Sequence, residues 1–202
     1  MSDTDDRLYA PATQRNRAVI LDVLRQCLPE SGTVLEIASG SGEHAVFFAR
    51  HLPGLCFQPS DADPACRASI AAWMRAEALP NVLSPLALDA AAPDWPIAAA
   101  DAVICCNMIH IAPWAAASGL IKGAARILPA GAPLYLYGPY LRAGIETAPS
   151  NLAFDRSLRA QNPAWGLRDL DAVAALAAAS GFAAPDITPM PANNLSLVFR
   201  RR

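Results

Sequence analysis

The residues with the clearest chemical potential lie in VLEIASGSGEH, Val34–His44, and in two aspartates beyond it, Asp61 and Asp89. Gly40 and Gly42 flank a serine just after an apolar run that ends in an acidic residue and small side chains. Glycine turns the backbone sharply and lets a ligand approach without meeting a Cβ. A helix starting at the turn would offer its first N–H groups to a polar ligand. Gly40 to Ala45 also fits the dinucleotide pattern G-x-G-x-x-G/A, a pattern that a tight turn with no ligand meets as well.

Glu36 discriminates between ligands. It stands inside the apolar run, where an unpartnered carboxylate is costly. A pyrophosphate cofactor would set negative charge against negative charge. A cofactor with an ammonium group would gain from Glu36, and S-adenosyl-L-methionine has that ammonium, a sulfonium and no phosphate. The alternative is that Glu36 binds nearby backbone or an arginine. Asp61 follows about 20 residues beyond the turn, where a carboxylate can accept both ribose hydroxyls. Asp63-Pro64 reads as a helix cap and first position. Asp89 closes the run LALD and can accept an adenine amino group, or stand as a surface turn residue.

These residues need a frame that brings them to one edge, and the flanking pattern supplies one. Strand and helix alternate over residues 33–140: a strand at TVLEIA, a helix Glu43–His51, a strand Leu55–Asp61, a helix Asp63–Leu79, a short strand within Val82–Asp89, a strand within Ala100–Ile111, a helix within Ala116–Gly131 and a strand within Ala132–Tyr140. Such alternation means a parallel sheet with helices on both faces, an α/β Rossmann-like, doubly wound fold whose ligands sit beyond the carboxyl ends of the strands. A helix precedes this core, Ala12–Cys27, with Val19, Ile20, Val23, Leu24 and Leu28 on one face. Residues 141–168 read as irregular or weakly helical. Leu170–Phe182 is a helix stopped by Gly181. The ending MPANNLSLVFRR holds an Asn-Asn turn and a return strand, so the sheet is not purely parallel.

The 202 residues suffice for one well-buried domain, divided as 1–30 (N-terminal helix and lid), 33–140 (cofactor core) and 141–202 (acceptor side and C-terminal hairpin). Hydrophobic residues make up 53% and the net charge is −2, so no basic stripe favours nucleic acid. Arg200–Arg202 reads as a solvated basic end. Five cysteines, an odd number without C-x-x-C, fit a reduced compartment rather than a disulfide or zinc framework. MSDTDDRLYA, mobile in its first residues, has neither a signal nor a transit pattern, and no apolar run reaches the ~18–20 residues of a membrane span. A cytoplasmic protein, monomer or homodimer, with no membrane partner and no metal, is expected.

In this order the motifs resemble class I S-adenosylmethionine-dependent methyltransferases over nearly the whole chain. VLEIASGSGEH is similar to their first motif, acidic-x-G-x-G-x-G, with Ala38 in place of the first glycine. PSDADP, LALDA and DAVICCNMIHI resemble later motifs. YAPATQRNRAVILDVL, EIASGSGEHAVFFA, QPSDADP, NMIHIAPW and PANNLSLVF resemble, more narrowly, a bacterial branch related to the methyltransferase-like protein 26 family. The resemblance implies a seven-stranded sheet with an antiparallel last strand. It also implies methyl transfer from S-adenosyl-L-methionine. Glu36, Ala38 and Gly40 would then meet the methionine part and Gly42 would shape the turn. Asp61 would bind ribose, Asp89 and Ala90 adenine, and Asn107 and Met108 would line the floor beside the sulfonium.

In-line methyl transfer asks mainly for positioning and exclusion of water. A hydroxyl or thiol acceptor gains from a general base. His110, just past the fourth strand, titrates near neutrality and is placed for that role, or else is a structural histidine. His44 is expected to shape the cofactor end, and His51 to cap its helix. Tyr140 can orient an acceptor and Arg142 can pair with a carboxylate on it. Tyr9, Arg15, Asn16 and Arg17 form either a lid, whose cations reach the cofactor carboxylate, or a surface helix. Trp165 and Arg168 close the acceptor pocket or simply pack. The site lacks [DN]-P-P-[YF], the signature of amino-methylating enzymes, and no recognition domain accompanies it. A small-molecule acceptor methylated at O or S is therefore expected. An NAD(P)-dependent oxidoreductase and a non-enzymatic adaptor with a retained pocket are the competing classes. Glu36 and the missing Tyr-x-x-x-Lys pair count against the oxidoreductase.

Overall fold

The computed structural model describes residues 6–202; the expectation of mobile first residues concerns positions 1–5, which lie outside them. The chain opens with helix α1, Pro11–Cys27, which starts one residue before the expected position because proline suits a first turn. Ile20, Leu21, Leu24 and Cys27 are its buried stripe. Strand β1, Gly32–Ile37, then alternates its side chains between the two faces of the sheet. Leu35 and Ile37 join one core and Val34 joins the other, which puts Glu36 on the Val34 side.

Helix α2 (Glu43–His51), strand β2 (Leu55–Asp61) and helix α3 (Pro64–Glu77) follow, and Asp63 caps α3 by accepting from the Ala65 N–H at 2.8 Å. Strand β3 is only Leu86–Ala87; it lies at the sheet edge just after Pro85, which cannot donate to a ladder. Strand β4 (Ala102–Cys106) runs into a short 3₁₀ turn, Met108–His110, and helix α4 spans Trp114–Ile127. Strand β5 is Pro133–Gly138.

Beyond it the structure departs from the sequence reading. Strand β6 (Tyr140–Leu141) pairs with β7 (Arg168–Asp169), and between them lies a regular 13-residue helix, α5, Pro149–Gln161. Its burial is confined to Asn151 and Leu158, while Leu152 and Phe154 stand exposed. A helix with so thin an apolar stripe leaves little periodic signal. Helix α6 (Leu170–Ala179) leads to a hairpin of β8 (Asp186–Met190) and β9 (Asn194–Arg200). Its turn uses Ala192 and Asn193 in the left-handed region, not the Asn-Asn pair, and Asn194 already belongs to β9.

The main sheet has the order β3-β2-β1-β4-β5-β9-β8. The first five are parallel, and β9 runs antiparallel to both β5 and β8, with Tyr135 opposite Val198. This is a Rossmann-like doubly wound sheet. One core packs α4 and α6 on the Leu35–Val103–Leu134–Leu197 face; the other packs α1 and α2 on the Val34–Ile104–Tyr135–Val198 face. The chain changes direction between β1 and β4, and the carboxyl ends of those strands are the switch point where a ligand is received.

Candidate functional site

The glycine turn leaves β1 through three left-handed residues, Ala38 (φ 55°), Gly40 (φ 57°) and Gly42 (φ 91°). Ala38 adopts it at a cost of about 1 kcal/mol that the resembling motif avoids with glycine. At Gly42 a Cβ would come 2.8 Å from the Ile70 Cα, so no larger residue fits. At Gly40 a Cβ would meet nothing within 4 Å, so the turn is open on that side. Asp61 holds the turn: Oδ2 accepts from the Gly40 N–H and Oδ1 from the Asp63 N–H, both at 2.9 Å. Each carboxylate oxygen keeps a second acceptor site for a ligand.

Around this turn lies a cavity of about 650 Å³. Ala38, Gly40, Asp61, Asp89, Ala90 and Met108 line it, so six of the sequence-derived positions converge on one space. Asp89 is exposed at its rim, with Oδ1 accepting from the Ala91 N–H at 2.8 Å. A second cavity of about 550 Å³ is lined by Arg15, Asn16 and Asn107 and shares Ile111 with the first. Residues 107–111 thus form the divide between the two, and Asn107 makes that turn with φ 63°.

Glu36 is 2% exposed, and its Oε2 has no hydrogen-bond partner. Burial, helped by the nearby Asp61 and partly offset by Ser39, raises its carboxyl to about 8. Glu36 lines neither cavity, but an orphan buried carboxylate oxygen in the strand that leads into the turn is one a cationic group would complete.

His44 lines neither cavity. Its Nε2 pairs with Asn16 Oδ1 at 2.9 Å and its ring stacks on Phe48, tying α2 to α1. Burial, then the charge on Arg17, lowers it to about 4, so the ring is neutral and Nε2–H is the donor. The N-terminal residues divide. Arg15 and Asn16 face the second cavity, whereas Arg17 lies over Phe47 and Tyr9 packs edge-on against Trp73. His51 bonds the Phe47 carbonyl at 2.8 Å, as a helix-end cap should.

His110 is fully buried, with both ring nitrogens partnerless, and it lines neither cavity. Burial, then Arg168, lowers it to about 3. Tyr140 packs its ring edge against His110 at 4.9 Å, and burial holds its phenol protonated. Tyr140 and Arg142 border a separate cavity of about 210 Å³ against the β8–β9 turn.

Several positions bear on the site without a clear sequence signal. Glu43 accepts from the Ala10 N–H at 2.6 Å and from Ser41 Oγ at 3.0 Å, binding the N-terminal segment to the glycine turn. Ser69 accepts from the Leu8 N–H and donates to the Ser41 carbonyl. Trp165, read from sequence as closing the acceptor pocket or as packing, lines the cofactor-turn cavity and not the second one. It is held there by Arg168, which donates to the carbonyls of Ile109 (2.7 Å), Ala112 (2.5 Å) and Ala164 (2.9 Å), and by the Gly166 N–H on the His110 carbonyl (2.9 Å). An aromatic between Pro163 and Gly166 in a polar loop was the available hint. Among the described residues, no group of three His, Cys, Asp or Glu side chains could hold a metal, and no helix is long and apolar enough to cross a membrane.

Residues 7–201 match the model of a family described as a protein of unknown function, DUF938. Among solved structures, the fold is shared with an O-methyltransferase family protein from Burkholderia thailandensis (TM-score 0.80, 20% identity, 94% of this chain and 57% of that one). It is also shared with human N-acetylserotonin methyltransferase in complex with SAM (0.78, 14%, 94% and 52%). A third is CalO1, a methyltransferase in calicheamicin biosynthesis in its SAH-bound form (0.74, 16%, 95% and 55%). The chain spans little more than half the length of these structures.

Proposed function

The chain belongs to the DUF938 family, and we propose that it binds S-adenosyl-L-methionine and transfers its methyl group to a small-molecule acceptor at O or S. The observation that carries this reading is the partnerless, buried Glu36 oxygen near the carboxyl end of β1, the strand that leads into the glycine turn. The methyltransferase-type sheet adds support, as do SAM- and SAH-bound neighbours of the same fold. The narrower likeness to methyltransferase-like protein 26 belongs to the same proposal.

The cofactor supplies an activated methyl on a sulfonium. Glu36 receives its ammonium, and Arg15 and Asn16 the carboxylate end. Ala38, Gly40 and Gly42 shape the turn, Asp61 accepts from ribose, Asp89 and Ala90 meet adenine, and Met108 lines the floor beside the sulfonium. Asn107 divides cofactor from acceptor. His44 acts at one remove, by orienting Asn16. We assign His110 and Tyr140 to supporting the 107–111 loop, because His110 is fully buried and Tyr140 packs edge-on against its ring. In this reading residues 6–30 cover the site, 33–140 hold the cofactor and 141–202 form the acceptor side of one domain.

Calorimetry with S-adenosylmethionine, S-adenosylhomocysteine and NAD in parallel tests the proposal. Micromolar binding of the two sulfur nucleosides and none of NAD is expected. Binding of NAD alone would overturn the Glu36 argument and turn the search to hydride transfer.

A further inference from the structure

The second cavity is asymmetric in what it offers. Val19, Ile111 and Phe154 give it an apolar body, and its polar lining is mostly amide and phenol. Among the described residues lining it, Arg15 alone carries a charge, and none is a histidine or carboxylate. The ionisable groups nearby lie behind its walls. Glu36 and His110 do not line it, and His44 is committed to Asn16.

Tyr137 is the one titratable hydroxyl on the wall, and the Asn16 side chain links it to His44. The neutral His44 ring donates Nε2–H to Asn16 Oδ1 at 2.9 Å. The Asn16 amide is left to give its N–H, and it hydrogen-bonds Tyr137, as does Asn194. Tyr137 lines the cavity, and its phenol can donate an O–H there. Burial, then Cys106, raises this phenol above its ordinary value, so it stays protonated. The wall thus offers amide and phenol groups for hydrogen bonding but no side chain that takes a proton near neutral pH.

We propose that this cavity takes a nucleophile that arrives already ionised, an aryl thiol or an acidic phenol, and discriminates against aliphatic alcohols and alkylammonium groups. The inference rests on the methyl-transfer reading. An ionised acceptor places its lone pair on the methyl carbon as the carbon–sulfonium bond breaks, that bond's pair remaining on sulfur. An anion and a cation become two neutral products and no proton moves, which a poorly hydrated cavity favours. An aliphatic alcohol would have to lose its proton during the step, and the wall supplies no acceptor for it. An alkylammonium has no lone pair, and no carboxylate on the wall to attract it.

Three nitroaryl probes on the full chain test this: 4-nitrothiophenol, 4-nitrophenol and 4-nitrobenzyl alcohol, with calorimetry of S-adenosylhomocysteine alongside. With S-adenosylmethionine, turnover of the thiol and the phenol should exceed that of the alcohol by roughly 100-fold or more, the scale of a missing general base. The midpoint of each pH profile should follow the probe's own ionisation, and His110→Gln should leave that midpoint in place whatever it does to the rate. With the S-adenosylhomocysteine complex, nitrophenol should bind as its coloured anion and ionise at lower pH than when free. Tyr137→Phe should diminish that shift. A midpoint that ignores the probe but moves with His110→Gln would overturn the proposal, as would equal turnover of the alcohol. If S-adenosylhomocysteine binds and none of the probes does, the acceptor class is wrong while the cofactor reading stands. If S-adenosylhomocysteine itself fails to bind, both fall.

Discussion

Glu36 concentrates the electrostatic question in one side chain. Its carboxyl is raised to about 8, so at pH 7 it is mostly protonated in the protein alone. An ammonium arriving beside it favours the ionised form. Cofactor binding at pH 7 should therefore release about one proton. Calorimetry in buffers of different ionisation enthalpy measures that number, and Glu36→Gln should bring it to zero and weaken binding. A release unchanged in the variant would mean that Glu36 does not face the ammonium. This residue was legible from sequence because an acidic side chain in an apolar strand is expensive. The opposite holds for His110. Its place after the fourth strand suggested catalysis, but strand register does not say how deep a side chain sinks, and it is fully buried.

At the scale of elements, the segment from Ala164 to Arg168 works as a clamp on the loop after β4. The Arg168 guanidinium satisfies three backbone carbonyls that would otherwise be left short of donors. Arg168→Ala should cost about 1–3 kcal/mol in unfolding free energy, read by urea denaturation. It should also weaken S-adenosylhomocysteine binding, because Trp165 loses its support. Trp165→Ala should leave folding nearly intact and weaken that binding by roughly tenfold, the scale of one aromatic contact. Equal affinity in the Trp165 variant would remove the indole from the cofactor site. The sheet and its helices were readable because their apolar periods are strong. Helix α5 and this clamp were not: the helix buries little, and the clamp depends on contacts between residues 109–112 and 164–168, which no local pattern encodes.

For the molecule as a whole, the buried ionisable groups set a pH window. His44 and His110 are lowered to about 4 and about 3, so the unfolded chain binds more protons than the folded one below the ordinary histidine value. Stability from them is present above about pH 6.5 and lost as pH falls. Glu36 acts in the other direction. Its folded value lies above its unfolded one, so its contribution is full at low pH and lost as pH rises towards about 8. Stability should therefore peak near pH 6.5, seen in urea midpoints taken from pH 5 to 9. Glu36→Gln should flatten the alkaline side and leave the acid side in place.

The position of β9 has a consequence for how the protein is made. This strand lies between β5 and β8, yet it follows every other element of the fold in the chain. During synthesis β5 must leave the ribosome and wait, its Pro133–Gly138 edge unpaired, until residues 194–200 emerge more than fifty positions later. That edge is apolar, and an unpaired apolar edge recruits strands from other chains. A nascent chain stalled before Asn194 would carry a nearly complete cofactor turn and an open sheet, and would be a natural client for a chaperone.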